Sequence, residues 1–167
     1  MSIPVLITPT LILLAGLITD LRSRKIYNWL VLTCLAAAIA HSIYFFDFMP
    51  GLIQGAQGAG VALMLTLPMV LIGVLGAGDM KLLFAFGFAT SYSATFSVVI
   101  YSFVWAAIFG LIYAIVSGRF KTMLLNMKDL AAGKKPEEAK LNHIPFTVAI
   151  VLAWGTYVFS LNGGSLW

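Results

Sequence analysis

Charge is what this chain has least of. Only 10% of its 167 residues are charged, where a soluble domain carries about a quarter. Cysteine is scarcer still: the single Cys34 excludes an internal disulfide and any paired-cysteine zinc motif, and its place in an apolar run reads as a small buried side chain. There are two histidines, His41 and His143, and the topology below places them on opposite membrane faces, which makes metal ligation or a histidine-based triad unattractive. No Lys or Arg precedes Arg22, so the opening "MSIPVLITPTLILLAGLIT" lacks the basic start of a cleaved signal sequence and reads as a retained first span. What is abundant is apolar surface: 61% of residues are hydrophobic and the mean hydropathy is +1.00. This composition belongs to the membrane class, at a length suited to one domain, residues 1–167. The net charge of +4 does not point to nucleic acid, because the basic residues fall where membrane topology would put them.

The ten Lys and Arg residues occupy three places: Arg22, Arg24 and Lys25; Lys81 alone; and Arg119, Lys121, Lys128, Lys134, Lys135 and Lys140. Short basic loops stay in the cytoplasm. An even number of spans therefore separates each place from the next, and a spanning helix needs about 20 residues. The count predicts an all-α bundle of six transmembrane helices at about 3–19, 29–46, 52–75, 79–91, 94–117 and 143–161. Both termini lie outside, with outer turns at "DFMP" (47–50) and "TSYS" (90–93). Pro68 is expected to kink the third span. In the loop 118–142, Phe120, Met123, Leu124, Met127, Leu130 and Ala131 recur at helical spacing, with Lys121, Lys128 and Asp129 set off from that face. This predicts one helix lying on the cytoplasmic leaflet, the alternative being a basic linker.

Only Lys and Arg entered that count, yet it sets two carboxylates at one membrane depth. Asp20 falls at the cytoplasmic end of the first span, and Asp79, in "VLGAGDMKLL", falls where the chain returns to that side. Each has a plain structural explanation. Asp20 ends a helix beside Arg22 and Arg24, and Asp79 suits a helix N-cap. Together they suit a chemistry. Two carboxylates in a site of low dielectric do not both ionise cheaply, so one keeps a proton. The ionised one takes a proton from water and the protonated one polarises a peptide carbonyl. Gly76 and Gly78 would let a peptide backbone approach Asp79 without meeting a Cβ.

Other sites are poorly supported. His41 and His143 map to opposite membrane faces, so His41 reads as an interfacial or bundle-facing residue, and His143 opens the last span. Two further classes stay open. A transporter or assembly subunit would face its polar groups to a pathway at mid-bilayer, whereas Asp47, Asp129, Glu137 and Glu138 all fall in predicted loops. A presenilin-like intramembrane protease would carry its aspartates on consecutive spans, the first in a Tyr-Asp pair; here Asp20 follows Thr19, and the two aspartates lie on the first and fourth spans.

Three segments resemble the type IV prepilin peptidases. "DLRSRKIYN" (20–28) is similar to their D-x-R-x-x-x-I-P-N, "GAGDMKL" (76–82) to G-x-G-D-x-K-L, and "IPFTVAI" (144–150) to I-P-[FY]-G-x-A-I. The resemblance implies a membrane aspartic endopeptidase that removes the basic leader of prepilins or pseudopilins at the cytoplasmic boundary. Asp20 and Asp79 would be its catalytic pair, with Gly76, Gly78, Lys81, Asn28 and Pro145 shaping the site or binding substrate. For Lys81, the expectation is that its charge lowers the pKa of one carboxylate or meets an acidic residue of the mature pilin; the plain alternative is a headgroup anchor for the fourth span. No metal or organic cofactor is implied. The partners would be the prepilin, the bilayer of a bacterial inner membrane and the pilus assembly machinery. Larger relatives carry an extra CxxC domain that methylates the product; with one cysteine this chain resembles the short Flp or Tad form, and methylation is expected to be absent. Tyr27 stands where the pattern has proline, and Thr147 where it has glycine; neither substitution is expected to touch a catalytic group.

Overall fold

The computed structural model describes residues 3–118 and 146–163, and all statements below concern those residues. The helix expected from Phe120 to Ala131, together with His143 and Pro145, lies outside them. Within them the chain is all helical, with no strand: α1 (Ile3–Ser23), α2 (Asn28–Phe46), α3 (Phe48–Leu71), α4 (Ala77–Phe88), α5 (Tyr92–Val116) and α6 (Phe146–Gly163). Four of these, α1, α2, α3 and α5, are long and apolar enough to cross a membrane, and α6 is apolar but offers a shorter stretch, Phe146–Leu161. At 12 residues, α4 rises about 18 Å at 1.5 Å per residue, against a hydrocarbon core of about 30 Å. It lies among the other helices, packed against α3, α2, α1 and α5. Leu82, Leu83, Ala85 and Phe86 are fully buried there. Outward-facing Ile7, Leu11, Leu32, Met64, Val104 and Phe159 are more than half exposed, the apolar surface a bilayer would cover.

Several predicted boundaries move. The turn between α2 and α3 is the single residue Asp47, at φ 64°, rather than the four residues 47–50. The helix restarts at once because Pro50 falls in its first turn, where a missing N–H costs nothing. Gly51 is what permits so tight a hairpin, since a Cβ there would strike the Ser42 carbonyl. The third helix accordingly runs 48–71 instead of 52–75. Pro68 lies in its last turn, and a turn through Gly73 (φ 76°) follows. The fourth helix runs 77–88 rather than 79–91 and the fifth 92–116 rather than 94–117, so the turn between them is centred on Ala89–Ser91. Ser91 caps α5 by accepting from the Ala94 N–H at 3.3 Å.

Burial of so much backbone in an apolar setting leaves hydroxyls to find partners within the bundle. Thr10, Thr19 and Thr66 donate to carbonyls of their own helices. Ser42 of α2 donates to the Phe88 carbonyl at 2.7 Å, satisfying an acceptor where α4 ends inside the protein. Helices α3 and α4 meet backbone to backbone. A Cβ on Gly58 would collide with the Gly87 carbonyl, and one on Gly87 with the Gly58 carbonyl at 2.6 Å. Close approach at small residues is how helices associate where no hydrophobic effect drives them. Trp154 of α6 closes the other side, edge-on to Phe86 with ring centroids 5.2 Å apart and donating to Thr10 Oγ1 at 2.8 Å.

His41 faces the bundle. It is buried beside Phe45, and neither ring nitrogen has a hydrogen-bond partner among the described residues. Cys34 is buried in the apolar core, as its surroundings in the sequence predict.

Candidate active site

The end of α1 is fixed by its own backbone. The Arg24 N–H reaches back to the Asp20 carbonyl at 2.7 Å, and Arg24 adopts φ 50°, the left-handed conformation that stops a helix. Asp20 therefore rides on the final turn of α1. Asp79 lies in the first turn of α4, where a carboxylate also suits the positive end of the helix dipole. It is not the N-cap: Gly76 holds that position and makes no side-chain cap bond. The expected capping role for Asp79 is thus replaced by one in which the carboxylate is free to point elsewhere.

Both carboxylates line one cleft of about 420 Å³. Its remaining wall is Arg24, Lys25, Ile26, Tyr27, Asn28, Gly76 and Gly78. The glycines contribute space. A Cβ on Gly76 would sit 3.1 Å from Asp79 Oδ2, and one on Gly78 would press on Ile26 Cβ at 3.0 Å. Lacking side chains at both positions, the 76–78 segment lies close against its neighbours, which an added Cβ would force to shift.

Asp79 belongs to none of the four long apolar helices and sits in the first turn of the short α4. Its carboxyl is pushed up from 3.8 to about 7, first by burial and then by the negative charge of Asp20. At neutral pH it holds its proton about half the time. One member of the pair is thereby suited to donate a proton while the other accepts one.

Asp20 has a partner that sequence reasoning missed. Thr147, in the first turn of α6, is buried, and its hydroxyl donates to Asp20 Oδ2 at 2.7 Å. The expectation that this substitution touches no proposed catalytic group is overturned. The only signal in the sequence was a hydroxyl where the resembling pattern has glycine, and its meaning depends on α6 packing against α1. Lys81 is exposed and does not line the cleft; its Nζ donates to Asn28 Oδ1 at 2.9 Å, tying the start of α2 to α4. Arg24 and Lys25 entered as topology markers, and Arg24 also as a neighbour of Asp20; both form part of the cleft wall.

Apolar helices around a cleft lined by two carboxylates define a class, that of membrane proteins with an acidic site. The model of the type IV leader peptidase family matches residues 7–115, and the chain belongs to that family. The match takes in both aspartates and ends before α6. No curated protein and no solved structure matches the chain. Membership makes it a membrane peptidase of the prepilin leader type.

Proposed function

We propose that this protein is an aspartic endopeptidase of the short Flp type, which cuts prepilins or pseudopilins between a basic leader and an apolar helix. The observation that carries the reading is the convergence of Asp20 and Asp79 on one cleft from distant parts of the chain. In the hydrolytic step the oxygen of water bonds to the scissile carbonyl carbon. Its proton passes to Asp20 while the proton of Asp79 passes to the carbonyl oxygen. Collapse of the resulting diol returns a proton to Asp79. The carbon–nitrogen bond breaks as the proton on Asp20 moves to the leaving amine, which restores both groups.

The prepilin presents its scissile bond where a basic cytoplasmic leader meets a helix in the bilayer. The basic groups Arg22, Arg24 and Lys25 beside Asp20, and Lys81 beside Asp79, support placing the cleft at the cytoplasmic face of the inner membrane. The six-helix topology with both termini outside is retained, α4 being the short member enclosed by its neighbours. Such enclosure satisfies a short segment that lipid alone would not tolerate. Gly76 and Gly78 leave room for the substrate backbone, Lys81 positions Asn28 at the cleft edge, and Pro145 precedes the helix that carries Thr147.

The test is coexpression with a Flp-type prepilin, reading the leader-length shift on a gel. Wild type is expected to process the precursor, and Asp20→Asn and Asp79→Asn each to abolish processing while still accumulating in the membrane. Processing by either variant at the wild-type rate would reject the pair.

A further inference from the structure

We propose that Thr147 is a positioning residue for Asp20: its hydroxyl holds Oδ2 and so leaves Oδ1 as the oxygen that takes the proton from water. The inference rests on the two-aspartate reading above, and it assigns different roles to two residues that the sequence presents as equivalent.

The geometry behind it is specific. Thr147 is 1% exposed, so its hydroxyl has no water to bond and must find a partner within the bundle. It bonds the Asp20 carboxylate at 2.7 Å, a full-strength O–H···O length. A donor of this kind fixes one carboxylate oxygen and restricts the side-chain orientations that a carboxylate on a final helical turn would otherwise sample. No such donor to Asp79 is present among the described residues. That residue instead meets burial and the charge of Asp20, and both act to keep its proton in place. The asymmetry in hydrogen bonding therefore matches the asymmetry the reaction needs, with Asp20 as the base and Asp79 as the acid. The other charged groups at the cleft, Arg24 and Lys25, are exposed on its wall.

Thr147 also joins elements that must agree for the site to form. Helix α6 packs on α5 and α1, and Thr147 ties it to the last turn of α1 through Asp20. The family match ends at residue 115, so this contact comes from a part of the chain that the match does not cover.

The experiment compares purified wild type, Thr147→Val, Thr147→Ala and Thr147→Ser in detergent, measuring kcat and KM for leader cleavage and the unfolding midpoint of each. Thr147→Val keeps the shape and removes the donor, whereas Thr147→Ala removes it without any risk of overpacking. Both are expected to lose about ten- to a hundredfold in kcat with KM within about threefold of wild type, the scale of one hydrogen bond to a charged group. Thr147→Ser is expected to stay within about threefold in both constants. Wild-type kcat in a folded Val or Ala variant overturns the proposal. So does an equal loss in Ser and Val, or a loss in Val and Ala that merely follows their loss of folded protein. Asp20→Asn in the same assay separates the two levels: if it cleaves, the two-aspartate reading fails. If it is inactive while Thr147→Val is fully active, only the positioning role fails.

Discussion

Replacing Asp79 with asparagine should stabilise the protein, and by an amount that depends on pH. In the folded state the carboxyl titrates near 7, against an ordinary value of 3.8. Folding therefore opposes ionisation. Below about pH 4 the group is protonated in both states and costs nothing. As pH rises from 4 to 7 the unfolded chain releases its proton while the folded one holds it, and stability falls throughout that window. Above pH 7 the loss is complete. At about 1.4 kcal/mol per pH unit, the full penalty is about 4 kcal/mol, and water in the cleft reduces it to about 2–4 kcal/mol. Asparagine keeps the shape and never ionises, so the variant escapes the penalty. Equilibrium unfolding of wild type and Asp79→Asn by SDS titration in mixed micelles, at pH 4 and pH 8, measures it. The variant should match wild type at pH 4 and exceed it by about 2–4 kcal/mol at pH 8. Equal stability at both pH values would show that the cleft does not oppose the charge, and the reasoning about the acidic partner would fail with it.

The same titration shapes activity. Cleavage that needs a proton on Asp79 should decline as pH rises through about 7, read as the basic limb of kcat/KM against pH; a profile flat from pH 6 to 9 would contradict the assigned acid. Elsewhere, Gly58→Val should destabilise the fold by about 2 kcal/mol or more, because its side chain would meet the Gly87 carbonyl rather than a flexible group. The same change at Gly60, which has nothing within 4 Å of the added Cβ, should cost less than about 1 kcal/mol in the same unfolding assay.

Much of the site could be read before any coordinates because charge is so rare here. Each Lys or Arg carried topological information, and that was enough to bring Asp20 and Asp79 to one end of the bundle. The helical architecture followed from apolar run length for the same reason. Turn lengths were legible less well. A minimum length for a spanning helix cannot anticipate a one-residue hairpin at Asp47, which depends on Gly51 lying against the Ser42 carbonyl. Nor does hydropathy distinguish α4, enclosed by other helices, from a segment facing lipid. The Thr147–Asp20 bond was hidden for a different reason. It joins residues far apart in sequence through a packing arrangement that no local pattern encodes, and its donor departs from the motif that drew attention to the segment.

The glycine contact between α3 and α4 has a mechanical consequence. Two backbones pressed together with no side chain between them have no compliant layer, so neither can slide without breaking the fit. Asp79 is thus mounted on a fixed jaw. Asp20 is mounted on the last turn of a helix that runs into the exposed Arg24 and Lys25, its carboxylate held by one hydroxyl. When a peptide enters, the accommodation falls to that second jaw.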